Sequence, residues 1–509
     1  MNIFCRYIVL FTTLTLIVCL AECDIDPVNA TIDGNQPGYV IQSDGTNWRL
    51  DTRIPVAQGD LTEGTSIYTG TQYIAEENPP GEPSGTWTRQ NTWYYPLTWT
   101  GNEEFWYGWM LLDIFSIDRS NHTSPRLLQS AGASGLFYTF RSDIFTAYYP
   151  PSLGNAINTM LTGTEADSIF GFYFRAWPRD TLVTAMVQKN STAWNAGIRT
   201  EDRLLEFDGR NAATSLDYLN DTAGHRPVAI RYLRPATGEI ATVTLSRSPC
   251  VMPTLFADTL PGAIGYIYIS QFVTTAGLST DTLFLDAAAW LDANSKGAWI
   301  FDLRNNGGGS ISASQNILST LLPRKSDLMC IRERYFNSTI LAGYEYTDTM
   351  RTNDNMPQHL TTRSVYLLQN RKSASASEIV ISSLRENLGS LIQTMGDTSY
   401  GKGIGQIYVS TPLGGYMAVT CMHIDPLRAS SYHGTGIAPD TYFANTDSSI
   451  NRAWTLALSS AGSSSLAKKA TTGQFAPNFA ALEWNHRQMQ RTPAPVLRPR
   501  SPGNPFPMR

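Results

Sequence analysis

The sequence predicts a multidomain α/β (α+β) protein, and three stretches carry that expectation. Residues 263–447 alternate apolar strand-like runs with helical patterns, as in an α/β core. Residues 169–248 hold short strand-like runs broken by turn signals, which predicts a small β-rich domain. Residues 24–86 are rich in Gly, Thr, Pro and Asn and lack a helical period, so a mixed region of loops and short strands comes first. The 509 residues suffice for roughly two to four domains.

The elements follow in order. Arg6 is the only charge before Glu22, and residues 7–20 form an apolar run of 14, too short to favour a membrane span. With the small residues Cys19 and Ala21 near a cut before Glu22, residues 1–21 read as a signal peptide. The expected destination is therefore export, periplasmic or extracellular. Leu20-Ala21-Glu22-Cys23 resembles a lipobox, although Glu22 stands where a small residue is usual, so a lipid anchor at Cys23 is a second expectation. If Cys23 survives cleavage, Cys23, Cys250, Cys330 and Cys421 allow three disulfide pairings, and isolated buried thiols are equally compatible. Sequons stand at Asn29, Asn121, Asn190, Asn220 and Asn337.

Within the region 24–100 and just beyond it, residues 87–109 concentrate aromatics from Trp87 to Trp109, a packed core or interface more often than a groove. Residues 101–165 read as a helical segment. In 263–447, Ile-Gly-Tyr-Ile-Tyr-Ile at 264–269, the run 297–304 and the run 364–370 read as strands, with helices at 278–294 and 377–389. Residues 249–263 read as a joining stretch, residues 448–487 as a helical segment, and the Pro- and Arg-rich residues 488–509 as disordered. Composition is globular, 42% hydrophobic and 16% charged with a net charge of −5. With no basic patch upstream of the tail, nucleic acid is not an expected partner.

Three segments follow strands, where α/β sheets gather their chemistry. They are Asn305-Asn306-Gly307-Gly308-Gly309-Ser310, the run Ser373-Ala374-Ser375-Ala376-Ser377-Glu378, and the residues 398–406. A serine is a weak nucleophile without a base beside it, and the second segment offers three serines. Lys402, flanked by Gly401 and Gly403, offers the base. A free lysine with a pKa of ~10.4 is under ~0.1% neutral at pH 7, and burial in an apolar pocket raises that fraction. Gln406, four residues on, is placed to orient the amine, and the N–H of Ala376 is one candidate oxyanion donor.

The motifs 302–309, 373–378, 400–406 and 434–440, in this order, resemble the carboxyl-terminal processing (tail-specific) proteases, a family of Ser–Lys serine peptidases with an embedded PDZ domain. The resemblance covers roughly 169–447. It implies a crotonase-like core of ββα type and makes Ser375, the first serine of the family's Ser-Ala-Ser-Glu motif, the nucleophile. Ser377 then reads as the N-cap of the following helix and Ser373 as loop. Gly308 or Gly309 becomes the second oxyanion donor. No cofactor and no metal are implied, and the expected partner is a protein or peptide substrate with a flexible C-terminus. The region 169–248 resembles a circularly permuted PDZ domain. Its carboxylate loop would lie at Phe170-Gly171-Phe172, and an apolar rim of Phe170, Phe172 and Phe174 would favour apolar tails. Glu201 departs from the Gly common there. Ser375 and Lys402 lie 27 positions apart, slightly more than the family norm, and the helix-to-strand loop near Glu386–Leu391 is the simplest place for the excess.

Other signals compete weakly. Ser465-Leu466-Ala467-Lys468 fits an S-x-x-K pattern without its companion motifs. Cys421 and His423 alternate on a strand-like run but lack further ligands in a motif. The alternative to a peptidase is a non-hydrolytic peptide- or ligand-binding protein on the same scaffold. It has no need to keep Ser375, Lys402 and Gln406 together.

Overall fold

The computed structural model describes residues 103–117, 136, 145–162, 167–176, 180–221, 226–274, 279–295, 297–337, 342–359, 363–443, 447–460 and 476–489, with short strands between 38 and 96. The signal-peptide and lipid-anchor residues, Ser465–Lys468 and the tail from 490 lie outside the described residues, as do the side chains of the aromatic stretch before residue 104. Among the described residues no helix is long and apolar enough to cross a membrane.

A six-stranded sheet organises the core, in the order 255–260, 264–269, 299–302, 365–369, 392–396, 441–442. The first pair is antiparallel and the remaining pairs are parallel. Parallel strands are covered on both faces, which is why Ile264–Ile269, Trp299–Asp302 and Val365–Gln369 are buried at every position. Alternation divides their side chains. Ile267, Ile269, Phe301 and Leu367 pack with Phe284, Ile317 and Ile379 of the helices Thr280–Asn294, Ile311–Leu321 and Ala376–Leu388. Tyr266, Tyr268, Ile300 and Leu368 pack with Trp454 and Leu458 of the helix Asp447–Ser460. Each such buried side chain contributes roughly 1.5–3 kcal/mol of transfer free energy.

Two expectations about boundaries change. The stretch 249–263 is not a plain joiner: Ser248–Cys250 pairs with Asp167–Ile169, and Leu255–Leu260 forms a hairpin with Ile264–Ile269. The alternating burial of Leu255–Leu260 gives that strand its inward face. The segment 101–165 is helical at Glu103–Phe115 and Gly154–Thr162, but Ala147–Tyr149 between them is a strand. It pairs with Tyr416–Ala418 at one side of a second sheet, whose order is 342–351, 327–337, 416–425, 404–410. Buried Tyr148 and Tyr149 hold it there.

The β-rich domain is an antiparallel sheet in the order 239–245, 228–234, 203–207, 182–187, 172–174. Two short helices, Thr192–Asn195 and Leu216–Asp221, accompany it. Glu201 has φ +70°, a left-handed conformation that costs a non-glycine residue about 1–2 kcal/mol. Its carboxylate pairs with Arg175, which also reaches Asp258 of the core at 2.9 Å. Cys250, Cys330 and Cys421 form no disulfide among the described residues.

Candidate active site

The three loops singled out above meet at the carboxyl ends of the parallel strands. After Trp299–Asp302, Asn306 donates its amide to Ile269 O (2.9 Å) and accepts from Gly308 N–H at its side-chain oxygen (2.8 Å). Phe272 bridges the same loop, donating to Gly308 O (3.0 Å) and accepting from Ser310 N–H (2.8 Å). Gly309 has φ +133°, and a Cβ there would lie 2.0 Å from Phe272 O, so only glycine fits. A Cβ on Gly308 would meet Ser375 Cβ at 2.7 Å and Ala376 N at 3.0 Å, which puts this glycine against the serine turn.

The three serines separate by environment. Ser373 is buried, donates to Leu303 O (2.8 Å) and accepts from Asn370 N–H (2.9 Å). Ser377 is buried and donates to Asn306 O (2.9 Å). Both hydroxyls lock the serine loop to the glycine loop. Ser375 alone is partly exposed. It has φ +55° and ψ −117° at the N-cap of the helix Ala376–Leu388. A non-glycine residue in such a conformation costs about 1–3 kcal/mol and persists only where its surroundings impose it. Here Ala374 N–H is held by Asn306 O (3.0 Å) and Ser375 N–H by Glu378 (2.9 Å). The expectation that Ser377 caps the helix is corrected. The helix begins one residue earlier, Ser375 is its cap residue, and Ser377 lies inside the first turn because its hydroxyl is drawn to Asn306 O.

Glu378, the residue the motif reading passed over, links serine to lysine. It is completely buried. One carboxylate oxygen accepts from Ser375 N–H (2.9 Å) and Lys402 N–H (2.7 Å), the other from Gly401 N–H and Ser399 Oγ, both at 2.6 Å. A Ser-x-x-Glu spacing at a helix start is a capping signal legible in the sequence. Beneath it, burial and the Glu378 charge push the Tyr432 phenol well up, so that it stays protonated.

Lys402 donates from Nζ to Gln406 Oε1 (2.5 Å). Gln406 sits at a register shift in the strand Ile404–Ser410 and donates its own amide to Phe145 O. The Phe145 ring lies 5.3 Å from Nζ and covers the amine, with Tyr400 and His433 against its edge. Phe145 is 261 positions from Gln406 and gave no signal in the sequence. Gly401, at φ +93°, lets the loop Tyr432–Gly436 approach within contact of the lysine backbone.

The structure thus brings together Ser375, Ala376 and Gly308 in one contact, and Lys402 with Gln406 in another, joined through Glu378. Gly308 has its N–H turned to Asn306, whereas the exposed Gly309 N–H has no acceptor among the described residues. Phe170, Gly171 and Phe172 lie in the other domain. The two rings are fully buried and stacked 5.9 Å apart, and Gly171 packs on Ser191. Cys421 is buried with its thiol towards Gly405 O, and no cluster of three or more potential metal ligands occurs among the described residues.

Comparison with known proteins bears on the same region. Residues 263–443 match the model of peptidase family S41. The carboxyl-terminal-processing protease of Synechocystis is 28% identical over 292 residues, 56% of this chain and 64% of that protein. A carboxy-terminal processing protease of Bacillus subtilis is 26% identical over 259 residues, covering 49% of this chain and 50% of the relative. The matches therefore span less than two thirds of these relatives. Among solved structures, the photosystem II D1 C-terminal processing protease aligns with 67% of this chain and 92% of its own, at 20% identity and a TM-score of 0.38. The S41 match falls on the sheet and loops that carry Ser375, Glu378 and Lys402, and over residues 263–443 the chain is similar to peptidase family S41 and to the carboxyl-terminal processing proteases.

Proposed function

We propose that the protein is an exported serine endopeptidase that hydrolyses protein or peptide chains with Ser375 as nucleophile and Lys402 as general base. The observation that carries this reading is the Glu378 carboxylate, which fixes the backbones of Ser375 and Lys402 from one buried point. Ser375 Oγ attacks the scissile carbonyl carbon while neutral Lys402 Nζ takes the hydroxyl proton. The tetrahedral oxyanion is received by the N–H of Ala376, at the helix N-terminus, and by that of Gly309. As the intermediate collapses, the lysine returns the proton to the leaving amine and an acyl-serine remains. Water, deprotonated by Lys402 Nζ, then attacks the acyl carbon, and the lysine passes that proton to Ser375 Oγ as the acyl chain leaves. Gln406 Oε1 fixes the direction of Nζ, and Phe145 restricts water around it. Gly308 has first to give up Asn306 if it is to act as a donor in place of Gly309.

The PDZ reading of 169–248 makes the preferred substrate a protein with a flexible, apolar C-terminus, cut at an internal bond. Export rests on the pattern of residues 1–21. A fluorophosphonate probe tests the assignment: it should label one serine, mapped by mass spectrometry to Ser375, and block casein hydrolysis, with EDTA having no effect. A label on Ser373 or Ser377, or EDTA loss restored by zinc, would sink it. Peptide binding without any labelling or turnover would favour the binding-protein alternative.

A further inference from the structure

Among the described residues, the strand Phe172–Phe174 ends its sheet and is paired with one strand only, Leu182–Val187. Its other side is the edge on which a PDZ-type domain adds a peptide as a strand. That edge is already bonded. Asn485, on the helix Phe479–Met489, accepts from Phe174 N–H (2.7 Å) and donates to Phe174 O (2.6 Å). A carboxamide carries the donor and acceptor of a main-chain amide, so Asn485 makes the two bonds that a residue of an added strand would make. Next to it, the fully buried Trp484 ring is stacked on Phe172 at 5.3 Å and tilted against Phe174 at 4.7 Å. The same helix touches Leu216–Asp221, one of the two short helices of the domain. Backbone pairing and an apolar side-chain anchor, the two halves of tail recognition, are thus both supplied from within the chain.

The helix is held at a second point. Glu483 accepts from Arg304 (3.2 Å), and His486 bonds Tyr266 Oη at 2.7 Å and stacks on Tyr268 at 3.8 Å. Tyr266 and Arg304 both bond Asp302, directly before the glycine loop. The helix therefore straps the β-rich domain to the core.

We propose that the helix Phe479–Met489 is an internal ligand of this edge, so that a substrate tail binds there only by displacing Trp484 and Asn485. The proposal rests on the PDZ reading of the domain.

The test uses the full chain carrying Ser375→Ala, which prevents turnover. A fluorescein-labelled peptide with an apolar, free C-terminus and its C-terminal amide are titrated by anisotropy, with and without Asn485→Ser or Trp484→Ala. Removing the two competing bonds should tighten the free-carboxylate peptide by about 10–30-fold, and the amide by a similar factor from a weaker starting affinity, because both peptides share the main-chain pairing. Hydrogen exchange at the Phe174 amide should accelerate in the same variants. Asn485→Ser keeps Trp484 in place, so it decides the matter where Trp484→Ala fails to fold. Unchanged peptide affinity with unchanged exchange would show that the helix does not compete, and would overturn the proposal while leaving the PDZ reading intact. Faster exchange with no peptide bound by any variant would overturn it from the other side: the helix covers an edge that is not a peptide site.

Discussion

Replacing Glu378 by Gln tests whether one buried carboxylate holds the serine and the lysine in register. The side chain accepts four hydrogen bonds, three from backbone N–H groups and one from Ser399 Oγ. Gln keeps one accepting oxygen and turns an NH₂ group on the other two donors. Two charge-assisted bonds are lost, each worth about 1.5–3 kcal/mol, so the site forfeits about 3–6 kcal/mol. Part appears as stability: at about 2–4 °C per kcal/mol for a domain of this size, 3 kcal/mol lowers the melting point by about 6–12 °C. Part appears as geometry, because Ser375 leaves its left-handed turn or Lys402 leaves its loop. A displacement of about 1 Å costs on the order of 100-fold in kcat. The assay is kcat and KM on a fluorogenic peptide, below the melting transition. KM should hardly move, since Glu378 is sealed from solvent. A Glu378→Gln enzyme within about twofold of the parent kcat would refute the argument.

Ser375→Ala, Lys402→Ala and Lys402→Arg should each abolish casein hydrolysis, the last because a guanidinium does not deprotonate. Ser377→Ala should cost about 1 kcal/mol in a urea melt and keep most activity; a dead Ser377→Ala beside a live Ser375→Ala would reverse the roles. Gly309→Ala drives a methyl into Phe272 O and should lower kcat by about 100-fold or more through the lost oxyanion donor, so normal turnover would remove Gly309 from the hole. Burial opposes the Asp302 charge, yet Arg304, then His486, outweigh it and hold the carboxyl below its ordinary value. That stabilisation is fully present above about pH 5 and is lost as pH falls through about 3.9 towards the folded value. Asp302→Asn should flatten the acid limb of a stability–pH curve, and an unchanged limb would contradict the coupling.

The core was legible because its information is local. Ile264–Ile269 and Trp299–Asp302 are buried on both faces, so each reads as an unbroken apolar run. Ser375, Glu378, Lys402 and Gln406 fall within two short motifs whose turn and cap chemistry is written in adjacent residues. The second sheet was much less legible. Its pairing of Asp327–Asn337 with Met422–Asp425 and of Ala147–Tyr149 with Tyr416–Ala418 joins distant segments, and strand propensity does not name a partner. The apolar Phe170, Phe172 and Phe174 read equally as a ligand rim or as one face of a packed strand, because a period of two is common to both. Trp484, more than 300 positions away, covers that face.

Much of what escaped the sequence reading has one physical origin. The tethers that assemble the site run from a side chain to a main-chain atom: Ser373 to Leu303 O, Ser377 to Asn306 O, Gln406 to Phe145 O, Glu378 to three N–H groups, and Asn485 to both polar atoms of Phe174. The side-chain end of such a bond demands a residue type and so leaves a mark in the sequence. The main-chain end demands only a backbone in the right place: every residue offers a C=O to a side-chain donor, and every residue but proline offers an N–H to a side-chain acceptor. A motif therefore announces the hand and not what it grasps. Ser373, Ser377 and Glu378 could be read as a serine run with a capping acid, while Leu303, Phe145 and Phe174 could not be read as their counterparts. Substituting the grasping side chain should accordingly be far more damaging than substituting the residue whose backbone is grasped, provided the replacement keeps its packing and its φ/ψ.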